Sequence, residues 1–141
     1  MPAYTEPSLK LTAEGAKTLL AAAEARAREI GVGQNIAVVD AGGMMLAFLR
    51  MDGAKNLSIL SATAKAETAA SQRQPTGRIA AETEVKMALA TGTRVTNLPG
   101  GLPIIIDGQL VGAVGVGSGT GAQDVDCANA GLRAIGAQTF E

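Results

Sequence analysis

The chain has 141 residues, with 12 Lys and Arg against 13 Asp and Glu, a formal charge of −1, and 47% hydrophobic against 18% charged residues. That is one compact domain with no basic face, which excludes nucleic acid as a default partner. Histidine is absent and cysteine occurs once, which excludes Ser-His-Asp and Cys-His nucleophile systems, HExxH zinc sites, intrachain disulfides and His-ligated haem.

The spacing predicts a helix over 12–30. Thr12 caps it, Ala16, Leu19, Leu20, Ala23, Ala27 and Ile30 form one apolar stripe, and Gly31 stops it. The run 36–39 is apolar and reads as a buried strand, 40–43 is turn chemistry, and 45–51 is a second strand, so 35–51 is a hairpin. An Ala-rich helix is expected over 58–71, broken by Gln74-Pro75-Thr76-Gly77, then a weaker helix over 78–90. Residues 91–101 read as a loop with a short strand near Val95. Two apolar runs joined by Asp107-Gly108 are a strong hairpin signal, because both turn residues take positive φ. A last helix is expected over 122–137. The order α-β-β-α-α-β-β-α makes the chain one α+β domain spanning 1–141, with an antiparallel sheet and helices packed on it. Exposed strand edges and small-residue helices point to a homo-oligomer.

Three groups carry candidate chemistry. Gly117-Ser118-Gly119-Thr120-Gly121-Ala122 fits G-x-G-x-x-A, but it follows a hairpin strand rather than a βαβ unit, which argues against a dinucleotide. Two readings stay open. The amides of Ser118, Gly119 and Thr120 hold a small anion at a helix N-terminus, or the glycines bend the strand and a hydroxyl caps the helix. Arg50, at a strand end, and Lys65, on the following helix, form a cation pair suited to an acid if the fold brings them together, and are solvated otherwise. Asp124 and Asp126 lie in the first turn of the last helix, where carboxylates complement the helix dipole; Asp124 is also a candidate proton carrier. Asp40 and Asp107 are turn formers. Cys127 reads as a small buried side chain. Pro2 would act as an N-terminal base only with a free amine, which Met1 blocks.

Several segments together resemble one family. Residues 35–43 and Arg50-Met51-Asp52-Gly53-Ala54 resemble the opening hairpin of the GlcG/HbpS family, and Lys65-Ala66-Glu67-Thr68-Ala69 its second helix. Pro99-Gly100-Gly101-Leu102-Pro103-Ile104 with 111–116 resembles its second hairpin, and Gln123-Asp124, Cys127-Ala128 and Ala130-Gly131-Leu132 its last helix. The resemblance implies a profilin-like fold with a sheet of about five strands and helices on its faces, in dimers or larger rings. It brings in a protein of glycolate-utilisation operons, a secreted haem-binding accessory protein and the C-terminal domain of PduO-type corrinoid proteins. Three features depart from the pattern: no histidine for haem or corrinoid, no signal peptide, and a Gly-Ser-Gly-Thr-Gly junction in place of a Ser-Gly-Gly type turn.

The expectation is a cytoplasmic binding or accessory protein of a catabolic pathway, with no cofactor, no metal, no membrane segment and no nucleic acid. A small organic acid would sit near Arg50, Lys65, Gly100, Gly101 and the 118–120 amides. The alternative is a cofactor-independent lyase, isomerase or hydrolase of a small carbonyl or hydroxy acid, in which Arg50 orients a carboxylate and Lys65 or Asp124 moves a proton.

Overall fold

In the computed structural model, which describes residues 3–141, Pro2 lies outside the described residues. The elements are α1 (Ala13–Ile30), β1 (Asn35–Asp40), β2 (Met45–Arg50), α2 (Ser58–Gln72), α3 (Ala81–Ala90), β3 (Gly101–Ile106), β4 (Gln109–Gly117) and α4 (Gly121–Ala134). The class and element order are those expected from the sequence.

Local chemistry sets the ends of these elements. Thr12 Oγ1 accepts the Gly15 N–H, and Gly31 closes α1 in the left-handed conformation at φ 74°. Asp40 Oδ1 accepts the Gly42 and Met44 N–H groups, which folds the first hairpin turn. Asp107 and Gly108 both take positive φ at the second.

The sheet has four strands in the order β2-β1-β4-β3, all pairs antiparallel. The expected count of about five is corrected here, because residues 91–100 stay a loop. Thr68 on α2 takes up that loop's polar backbone: its Oγ1 donates to Arg94 O and accepts the Thr96 N–H, so no neighbouring strand is required.

Helices α1 and α4 cover one sheet face over Leu19, Ile36, Val38, Leu102, Ile104, Val114, Val116 and Leu132, all buried. Helix α2 covers the other, where the buried side chains are small: Ala37, Val39, Ala62, Ala66, Ala69, Ala70 and Ala113. Glycines let α2 lie backbone to backbone on the sheet. A Cβ at Gly115 would overlap Ala62 O, and one at Gly101 would overlap Lys65 O. This close approach brings Lys65 down to the C-terminal end of β4. Helix α3 stands apart and buries none of its residues.

Candidate functional site

The site forms where α2, the Pro99-Gly100 turn and the β4–α4 junction meet. Lys65 projects from the sheet-facing side of α2 and is buried, with Nζ 2.9 Å from Val116 O and 2.9 Å from Asp124 Oδ2. Asp124 sits in the first turn of α4, also buried, and its Oδ1 accepts the Gly119 N–H at 3.1 Å. A buried ion pair this close offsets much of its own desolvation only when the remaining oxygens and protons are also satisfied. Both Asp124 oxygens have partners. The ammonium has three N–H bonds and two acceptors among the described residues.

A cavity of about 230 Å³ opens over this pair, lined by Lys55, Ser58, Ser61, Lys65, Leu98, Pro99, Ser118, Gly119, Gly121 and Asp124. Gly100 leaves room beside it, since a Cβ there would meet Asp124 Cβ at 2.9 Å and Lys65 Nζ at 3.0 Å. Ser118 takes φ 102°, a conformation that costs a non-glycine residue about 1–3 kcal/mol and persists only where the surroundings enforce it. Here its Oγ accepts the Lys55 N–H at 2.9 Å, which fixes the turn that carries Lys55 to the cavity. Asn35 Nδ2 donates to Lys55 O at 2.9 Å and steadies the same turn.

Lys65, Asp124, Ser118 and Gly119 line one cavity, with Gly100 and Gly101 packed against Lys65. Arg50 does not join them. It ends the edge strand β2, opposite Asn35, exposed and two strands away from β4. The glycine-rich junction does not offer free amides at Gly119 and Thr120. The Gly119 N–H donates to Gln34 Oε1 as well as to Asp124, and the Thr120 N–H donates to Gln123 Oε1. Thr120 Oγ1 accepts the Gln123 N–H in return, a reciprocal capping box. At Gly119 and Thr120 the amides are therefore taken up within the chain, the first by Gln34 and Asp124 and the second by Gln123.

Asp126, two residues beyond Asp124, is half-buried and pairs with Arg26 on α1, whose guanidinium is raised above its ordinary pKa by that carboxylate. Cys127 is buried, and burial pushes its thiol pKa up, as befits a core side chain. Lys55, Ser58, Ser61 and Gln34 were missed by sequence reasoning. Lys55 follows an Asp-Gly turn and precedes a helix start, which is a usable signal; nothing in the pattern marks Gln34.

Two other concavities exist. One of about 440 Å³ is lined by residues including Gly42, Gly43, Glu67, Thr91 and Arg94, with Glu67 and Arg94 ion-paired. The other, of about 300 Å³, is an apolar groove between α3 and residues 95–98.

A family model described as haem degrading protein, HbpS-like, matches residues 11–133. The chain belongs to the HbpS-like family. It is 38% identical over 107 residues to protein GlcG of Escherichia coli strain K12, covering 75% of this chain and 80% of that one. Among solved structures, protein ORFY of Klebsiella pneumoniae superposes with a TM-score of 0.88 at 32% identity, covering 98% of this chain and 99% of that one. A PduOC:heme complex superposes with a TM-score of 0.85 at 27% identity, covering 94% of this chain and 100% of that one.

These likenesses overturn the expectation of no cofactor. An HbpS-like chain belongs to a family described by haem degradation, and one structural neighbour is a haem complex. The absence of histidine excluded too much, because cysteine, methionine and tyrosine also ligate haem iron. Within a single chain, however, the three cavities are lined by none of these residue types. Their lining carboxylates are engaged: Glu67 with Arg94, Asp124 with Lys65 and Glu84 with Asn97. These cavities do not fit an iron-ligated haem. No helix among the described residues is long and apolar enough to cross a membrane.

Proposed function

We propose that this HbpS-like chain binds a small organic acid in the cavity over Lys65 and Asp124. One observation carries the reading: a buried ammonium with one N–H unpartnered among the described residues lines a cavity of about 230 Å³. A carboxylate oxygen completes that ammonium's hydrogen bonding. Lys55, exposed at the rim and in no ion pair among the described residues, supplies a second positive charge. The Ser58 hydroxyl supplies a neutral donor, while that of Ser61 donates to Ser58 O at 3.3 Å. The ligand's charge then balances Lys55, while Asp124 continues to balance Lys65.

The test is calorimetry of the purified protein against carboxylic acids of increasing length at fixed ionic strength, with haem in the same panel because a structural neighbour is a haem complex. A charge-assisted hydrogen bond contributes about 1.5–3 kcal/mol, or roughly 10- to 150-fold in affinity. Lys65→Met is expected to weaken a carboxylate by about that factor. Lys55→Ala is expected to weaken it less and to flatten the salt dependence. Saturable binding of haem alone, with a Soret shift and no response to any carboxylate, would move the site elsewhere.

We also read α3 as a surface for self-association. None of its residues is buried, and Val85, Leu89 and the neighbouring Leu98 are exposed together with Leu57 and Leu60 on and before α2. Native mass spectrometry is expected to show a dimer or a multiple of one, reduced to monomer by Val85→Glu with Leu89→Glu.

A further inference from the structure

We propose that the acid is a small oxo acid and that Lys65 Nζ condenses with its carbonyl to form an imine. This rests on the cavity reading above and names the substrate class for the same site. A salt bridge that served packing alone would need no cavity. Lys65 is the only buried lysine among the described residues, and it lines the space together with its own proton partner.

An amine attacks a carbonyl only when it is neutral, so something must take its proton. Asp124 Oδ2 lies 2.9 Å from Nζ, already hydrogen-bonded to it. The proton therefore has only to move along a hydrogen bond that already exists, within a buried pair. Val116 O, 2.9 Å from Nζ, holds the nitrogen in place while the proton moves.

The step balances without an outside reagent. The ammonium passes a proton to Asp124. The nitrogen lone pair then forms the N–C bond while the carbonyl π pair moves to oxygen, and Asp124 returns the proton to that oxygen. The nitrogen, still carrying two hydrogens, gives one to Asp124, which delivers it to the hydroxyl. Water leaves as the C=N bond forms, giving a protonated imine and an ionised Asp124. Nothing is oxidised or reduced. The carboxylate of the oxo acid is held by Lys55 and by the Ser58 hydroxyl on the cavity wall. One carboxylate thus serves in turn as base and acid, a role worth about 10²–10⁴-fold in rate.

The probe is pyruvate, with cyanoborohydride to reduce any imine to a stable amine. Intact mass and peptide mapping of the wild-type protein are expected to show one adduct per chain, on Lys65, at pyruvate concentrations that leave Lys10, Lys17, Lys55 and Lys86 unmodified. Asp124→Asn is expected to slow trapping about 100-fold. Lys65→Arg is expected to abolish it. Propionate, which cannot condense, is run by calorimetry beside it. Saturable propionate binding that Lys65→Arg weakens, with no trapping at Lys65 in the wild type, overturns the imine and leaves the binding site standing. Absence of both overturns both. Trapping spread over exposed lysines also overturns the imine, and because it is read on the wild type it does not depend on any variant folding.

Discussion

The two faces of the sheet are packed by different means. Under α1 and α4, leucines, isoleucines and valines interdigitate at ordinary side-chain distance. Under α2 the buried apolar side chains are alanines and one valine, with Phe48 at their margin, and glycines let the helix rest almost on the strand backbone. The first face is a core that tolerates volume-conserving exchange. The second is a register device: where Gly101 and Gly115 meet α2 the contact is backbone on backbone and cannot readjust, so it holds Lys65 at a fixed depth over β4. The buried ion pair of Lys65 and Asp124 therefore sits on the stiff face.

The sharpest way to break this contrast is Gly115→Val. Its Cβ would fall onto Ala62 O, and backbone on both sides leaves nothing to give way. Soluble folded protein is expected to be lost, whereas Val114→Ile, one residue along on the other face, is expected to leave a cooperative thermal transition. The next effect is at the ion pair. Lys65→Met or Asp124→Leu alone strands a buried charge and is expected to cost about 3–5 kcal/mol in urea unfolding, while the double variant recovers most of it. A double variant as unstable as the sum of the singles would refute the pairing.

Leu19→Ala, on the α1 face, is expected to cost about 2–5 kcal/mol, as cavity-forming core truncations do, and to leave ligand binding unchanged. Thr12→Ala removes the α1 cap and is expected to cost about 1 kcal/mol. The smallest effect is a pH slope. Burial raises the Cys127 thiol above its ordinary range, so in alkaline solution the unfolded chain loses that proton first. Stability from this group is full below the unfolded thiol pKa of about 8.5 and declines as pH rises past it. Cys127→Ala is expected to flatten that slope in urea titrations, and a slope unchanged by the substitution would count against a dry α4 face.

Much of the fold was legible because its signals are local. Thr12, Gly31 and the Asp107-Gly108 pair announce their own backbone conformations, and the apolar stripe of α1 has the period of a helix. The same locality misled at Val95. A short strand was expected there, but Thr68 takes the loop's hydrogen bonds instead.

At the site the legible part was the residue types and the illegible part was their partners. Lys65 and Asp124 stood out as charges, yet no sequence rule joins positions 59 apart. The Gly-Ser-Gly-Thr-Gly run declared amides near a helix start, and only the fold revealed that Asp124, Gln34 and Gln123 consume those at Gly119 and Thr120. Arg50 was plausible from its place at a strand end. The strand order then set it at the sheet edge, two strands from β4.

The sequence by itself determined the order of the helices, strands and hairpin turns and the ends that carry their own cap, because capping hydroxyls, positive-φ glycines and apolar periodicity act over a few residues. Tertiary structure alone decided which charge meets which, because a buried ion pair is chosen by backbone approach, and that approach is set by glycines from β3 and β4 lying under a helix that precedes both.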